Sequence, residues 1–484
     1  MIIEAGEYLP DQPDFGNPGA IVAKNCYPVK NSYRPLKELA VYSSALAERP
    51  LGSFPAKATD GNTSMFVGTA SYLYSLGTDL AFDNVSIAGN YSGCESWAFT
   101  QYGDTVIAAS LASNLQSFVL GTSTLFGNLT ADLKAEHIAS SELFVMVGNT
   151  YDTSDGSVPH RIRWSAIDDP TDWTVAAATQ SDFQDLNSTY GEVTGIKYVG
   201  DFYVFQDSAI SRVSYVGSPT VFDVDTFETS KGTHYGNSIA NSGSLIFFLA
   251  EDGFYMMQHS QVYPIGSDKV NETFYNDLAN EYAGRIKATV DPVNNLVLWA
   301  YASNDSAGKL DKLLIYNWVN QKWSFCDHYI LTHIGTNISL GYTLEDLDTI
   351  GTDIDAFAVS LDSDIWKGGL KTFMVINSDW KICLLTGDTI AATVDTREAQ
   401  PLEGRRACVD RVRPIVDGSA TVQVGTRTSL SDAVTWSSAY SAESNGDIPV
   451  RENDRFMRFR IITSGDYNHI QGVELLEIAD AGTR

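Results

Sequence analysis

Basic charge is what this sequence has least of: 32 Lys and Arg stand against 60 Asp and Glu over 484 residues, a formal net charge of -28. Gripping nucleic-acid phosphates or an anionic membrane face depends on clustered Lys and Arg, so conventional DNA binding is disfavoured at once. Cysteine is sparse too. Cys26, Cys94, Cys326, Cys383 and Cys408 are odd in number, widely separated and never paired as C-x-x-C, which leaves no disulfide framework or zinc knuckle to read. Nowhere do about 18 uncharged apolar residues run together, as a membrane-crossing helix requires, and MIIEAGEYLPDQPDFGNPGA has neither a basic nor an apolar signal region. The expectation is a folded chain in a reducing cell, without membrane insertion.

Catalytic signatures are missing as well. There is no HExxH, G-x-S-x-G or G-x-x-x-x-G-K-[ST], and no G-x-G-x-x-G after a strand. Among the seven histidines (His137, His160, His234, His259, His328, His333, His469) the closest pair is His328 and His333, a spacing that sets no metal geometry by itself. Acids at D-x-D spacing occur at Asp223/Asp225, Asp346/Asp348, Asp353/Asp355 and Asp362/Asp364. None completes a 12-residue calcium loop, and solvated acidic loops are the favoured reading. No metal and no cofactor is expected. The densest acidic cluster beside aromatics is RIRWSAIDDPTDWT, with Asp168, Asp169 and Asp172 between Trp164 and Trp173. It resembles the Asp-box turn of sialidases with Pro170 where the box has Gly, and reads as an Asp-Pro turn capped by its own side chains.

What the sequence does have is 44% apolar and 11% aromatic residues, enough for a large core. Helical periodicity is confined to Lys269–Tyr282, where Val270, Phe274, Leu278 and Tyr282 recur every four residues. Elsewhere short runs of Val, Ile, Phe, Tyr and Leu alternate with Gly, Asn, Asp and Ser, the pattern of strands and tight turns. A strand–turn–strand unit recurs with first-strand centres near Phe66, Ile107, Phe144, Tyr203, Phe247, Val297 and Phe357. That spacing straddles the roughly 40 to 50 residues of a four-stranded propeller blade. The fold expected is all-β: a β-propeller over 36–400 with about seven blades, six or eight fitting as well, against a competing reading of ordinary hairpins in sandwiches.

Composition changes near Pro401. Residues 401–484 hold 10 Arg, no Lys and 12 acids, against 22 basic and 48 acidic residues before them, and alternate as a small C-terminal antiparallel β-sandwich. Its Arg405, Arg406, Arg411, Arg413, Arg451, Arg455, Arg458 and Arg460 suit salt bridges to an acidic neighbour. Residues 1–35, with five prolines, read as an extended arm. Between Lys322 and Lys367 there is no Lys or Arg but eight acids, and Asp346, Asp348, Asp353 and Asp355 are the candidates for an acidic channel loop. Such a one-sign surface gives solubility, or a wall that DNA slides past without sticking.

Three stretches resemble the tail hub or nozzle proteins of short-tailed bacteriophages, also known as packaged-DNA stabilisation proteins: Tyr8–Leu39, Arg161–Trp173 and Arg455–Ile478. The resemblance implies a structural, non-enzymatic virion component assembled in the host bacterial cytoplasm. Six copies by family habit form a ring below the portal and adaptor, with tail fibre, spike or needle proteins as further neighbours. That ring retains packaged genome and conducts it during ejection without sequence-specific binding. The rival readings are a glycan-processing propeller, sialidase-like or depolymerase, using Asp168, Asp169 or Asp172, and a propeller platform that binds a protein partner.

Overall fold

The computed structural model describes residues 1–14, 16–338 and 371–482. The chain folds as antiparallel four-stranded sheets formed one after another. The first is typical: Gly52–Lys57, Thr63–Gly68, Leu73–Leu76 and Phe82–Asn84 pair in simple up-and-down order. Five more begin at Ala98–Tyr102, Lys134–Ser140, Val193–Val199, Ala240–Ser242 and Lys287–Asp291. The seventh takes Leu331–Ile338, Lys371–Asn377 and Lys381–Leu384 from one end of the chain and Ala40–Ala45 from the other. Neighbouring sheets pack through their opening segments in chain order, and Leu331–Ile338 returns to Gly52–Lys57. The architecture is all-β and consistent with a β-propeller.

Burial explains why the second strand of each sheet is the most apolar. In Thr105–Ser110, Val106 and Ala108 enter the core shared with the first sheet, while Ile107 and Ala109 enter the core shared with the third. A strand's side chains alternate between faces, and a strand with a core on both faces must be apolar at every position. Leu296–Tyr301 is accordingly buried at all six residues. Outer strands carry no such demand, and Asp182–Asp185 is exposed throughout.

The chain ends form a joint two-sheet module. Ile2–Glu4, Cys26–Val29 and Ser32–Pro35 share a six-stranded sheet with Ala407–Val416, Ile448–Asp454 and Ile470–Asp480. The sixth sheet extends from Lys322–Cys326 through Ala23–Lys24 and Thr393–Asp395 to Phe456–Thr463, Ala420–Arg427 and Thr435–Trp436. Ladder pairing thus crosses the position 400 boundary at Val394–Ile461, and residues 1–35 are woven into both sheets. One cluster spans all of this: Ile3, Tyr8 and Tyr33 pack with Phe254, Trp299 and Trp323 and with Val412, Phe459 and Leu475.

The helix expected over Lys269–Tyr282 is shorter, Asn271–Asp277, followed by a 3₁₀ segment Asn280–Arg285. Asp11 of the N-terminal segment caps it, accepting from the backbone N–H of Glu272 (2.8 Å) and Thr273 (2.9 Å). Val270, Phe274 and Leu278 are buried as the spacing predicts. At Leu278 the backbone turns extended and bridges to Ser303, which ends the helix.

Candidate functional site

Two polar constructions stand out from the sheets. The first lies where their opening segments converge. Lys287 starts the first strand of the sixth sheet, and its Nζ donates to Leu51 O (3.1 Å) ahead of the first sheet and to Asn237 Oδ1 (2.7 Å) ahead of the fifth. The side chain therefore crosses between sheets that are not neighbours. His333 of the seventh sheet meets Ser53 Oγ through Nε2 (2.8 Å) and is buried. Gly236 shows how tightly these segments approach, because a Cβ there would lie 1.8 Å from the Thr194 carbonyl oxygen and 3.4 Å from the His137 ring.

Charge at this convergence is unusual. Burial pulls the Lys287 ammonium down to about 7, helped by the positive charges of Arg49 and Lys197, and burial alone lowers Lys197. Both lysines keep partial solvent contact, yet protein surrounds them, and this enclosure governs their titration. Burial and Lys197 hold His137 at about 3. Glu136 Oε2 lies 3.9 Å from His137 Nε2, but burial and Glu192 raise the Glu136 carboxyl, so this contact is no firm ion pair.

A histidine neutral when folded and charged when unfolded makes the unfolded chain bind the extra proton below pH 6.5, so its contribution falls as pH falls towards 3. The slope is about 1.4 kcal/mol per pH unit, or about 2 kcal/mol by pH 5. The raised Glu136 works in the opposite sense, favouring the folded state at low pH. Subtracting the pH profile of His137→Gln from that of the native chain isolates the histidine. We expect the variant to lose about 2 kcal/mol less between pH 7 and 5 in urea titrations, and parallel profiles would exclude the assignment.

The second construction is the chain-end module, where the arginines are used internally. Arg405 pairs with Asp480, Arg406 with Asp454, Arg411 with Glu443, Arg413 with Asp447, and Arg458 with Asp14. Arg460 holds the fully buried Asp395 through two bonds of 2.7 and 3.0 Å and stacks over Trp436. Burial pushes the Asp395 carboxyl up even though Arg460 opposes it. Six of the eight arginines matched by sequence to an acidic neighbour thus have partners inside the chain. Arg455 lies over the Phe456 ring.

Other sequence candidates fall into place as turns. Asp169 accepts from Thr171 N (2.9 Å) and Oγ1 (2.6 Å), which holds its carboxyl below the ordinary range, and Asp172 accepts from Thr174 N (2.9 Å). Trp164 and Trp173 enter different core clusters. His328 binds Glu38 while His333 faces Ser53, so that pair is separated. Among the described residues no three His, Cys, Asp or Glu side chains converge on a common metal position. Asp346, Asp348, Asp353 and Asp355, the candidate channel loop, lie outside the described residues. Sequence reasoning missed Arg49, Lys197, Lys287, Glu136 and Glu192. They are isolated polar residues in first strands or the turns before them, and only the cyclic packing brings them together.

No family model and no curated protein matches this sequence. Among solved structures, the chain is similar to one in "Crystal Structure of Mitotic Checkpoint Complex", covering 74% of this chain and 95% of that one, at 7% identity and a TM-score of 0.41.

Proposed function

We propose that this chain is a non-enzymatic structural component of a virion, the tail nozzle or hub of a short-tailed phage. Its core is then a seven-bladed propeller, one blade per four-stranded sheet, carrying a β-sandwich built from both chain ends. The observation that carries this reading is the assembly of the module. Two of the three stretches that resemble nozzle proteins, Tyr8–Leu39 and Arg455–Ile478, lie more than 400 residues apart in sequence, yet they meet in it. Tyr33 pairs with Ile470, and Asp14 binds Arg458. Stretches that form one physical unit are more telling than two unrelated short matches.

Two further features support a scaffold over a glycan hydrolase. A general acid needs a raised carboxyl, whereas Asp169 is held low by its own turn, and Asp172 caps Thr174. Lys287 crosses between sheets within one chain, so in this reading the DNA path lies between copies and not along a propeller axis. A ring of six would carry six times the -28 of one chain, which opposes phosphate contacts.

Mass photometry and negative-stain images of the protein mixed with its portal and adaptor should show a ring of about six protomers with a central hole. Adhesion of free DNA to that ring should be weak at low salt and change little as salt rises. A persistent monomer that releases new reducing ends from host polysaccharide would instead establish the hydrolase.

A further inference from the structure

Two irregularities meet at one level of the six-stranded sheet in the chain-end module. Against Ile448–Asp454, Val409 pairs with Glu452 and Arg411 with Pro449, so Val450 and Arg451 oppose Asp410 alone. Against Ile470–Asp480, Val409 pairs with Ile478 and Arg411 with Glu477, so Asp410 has no counterpart. The sheet is thus bulged on both sides of Asp410, and Arg451 sits at φ 51°, a left-handed conformation that costs a residue with a Cβ. Bulges re-aim side chains. Here Asp410 and Arg451 line one cleft of about 570 Å³, together with Glu477 from the third strand at that level. The facing wall belongs to the module's other sheet, where Tyr440 lies on a short strand paired with Ala420–Arg427 and Glu443 follows it. Two contacts fix that wall: Tyr440 Oη donates to Glu452 Oε1 at 2.6 Å, and Arg411 Nη1 donates to Glu443 Oε2 at 3.1 Å.

We propose that this cleft is a non-catalytic binding site for a neutral mono- or disaccharide. The charges on its walls choose between ligand classes. Arg411 and Glu443 neutralise each other, while Asp410 and Glu477 share the cleft with Arg451, so an ion of either sign meets a like charge as well as an opposite one. A neutral ligand rich in hydroxyls uses both signs at once. Its O–H groups donate to the carboxylates and its oxygens accept from the guanidinium, and hydrogen bonds assisted by charge in this way are the strong ones. The Tyr440 ring, pinned by Glu452, offers apolar surface to the C–H face of a sugar. The cleft's volume lies within the range of small-molecule sites. The site stands on the geometry of the module and does not require the nozzle reading.

The probes are glucose, galactose, mannose, maltose, lactose and cellobiose, titrated into the full chain by isothermal calorimetry. At least one should bind saturably with a Kd of about 1 mM or tighter, and it should raise the melting temperature, as selective binding to the folded state requires. Asp410→Asn should weaken that binding about tenfold, because a neutral amide replaces a charged acceptor. Arg451→Gly separates binding from structure. Glycine adopts φ 51° without strain but adds freedom to the unfolded chain, and these effects oppose each other. That variant should therefore melt close to the native chain while binding about tenfold more weakly. Glucuronate and glucosamine, which put a charge on the same ring, should bind no more tightly than glucose. The absence of saturable binding by every neutral probe would overturn the proposal, as would unchanged affinity in both variants. A clear preference for either charged sugar would overturn it too, because the cleft would then read net charge.

Discussion

Removing residues 1–35 is expected to leave residues 401–482 unable to fold. Ile3, Ala5, Tyr8, Ala23, Cys26 and Tyr33 are each at most 5% exposed and belong to the core they share with Val409, Val412, Ile470 and Val473. At about 1.5 to 3 kcal/mol per large apolar side chain, their loss takes on the order of 10 kcal/mol, comparable with the whole stability of a typical domain. Hydrogen bonding is lost with it. Ile2–Glu4 pairs with Ile470–Asp480, and the Ala5 N–H donates to Gln471 O at 2.8 Å. Limited proteolysis of the truncated chain should cut first within 401–482, at sites protected in the intact protein. Digestion patterns that match the intact protein's would show the segment to be a dispensable arm.

That expectation departs from what the sequence suggests, and the reason is physical. Prolines make residues 1–35 look extended and poor in donors, and extended is correct. But Pro28 and Pro35 lie in short strands that pair with each other as a hairpin, and the sequence cannot say that this hairpin joins a strand more than 400 residues away through Tyr33–Ile470. The repeat was legible for the opposite reason. Second strands are buried on both faces, so Thr63–Gly68, Thr105–Ser110, Asp201–Gln206, Leu245–Ala250 and Leu296–Tyr301 stand out as apolar runs at the expected centres, and Phe144 immediately precedes Val145–Asp152. The centre near Phe357 lies outside the described residues. First strands were not legible, because they carry His137, Lys197 and Lys287 and break the apolar pattern. The pairs read as first and second strands are in fact second and third: Thr63–Gly68 follows Gly52–Lys57 in its sheet.

The joint between module and sheets should be equally sensitive to one side chain. Trp323 is fully buried in Lys322–Cys326, the strand where the sixth sheet passes into the chain-end module through the parallel pair Lys24–Phe325. Its ring lies 4.6 Å from Tyr316, 5.3 Å from Phe254 and 5.7 Å from Trp299, and its Nε1–H donates to Ile265 O at 3.0 Å. Trp323→Ala removes the aromatic contacts, leaves a cavity and strands a buried carbonyl, a combination that costs about 3 to 5 kcal/mol. Trp323→Phe keeps most of the ring volume and loses mainly the hydrogen bond, so about 1 to 2 kcal/mol is expected. Urea midpoints at unchanged slope measure both. Because this tryptophan touches fifth-sheet, sixth-sheet and module residues through one cluster, the alanine variant should lower the module and the adjoining sheets together in a single transition. A module that melts alone, with the sheets unaffected, would mean that the shared core does not couple them.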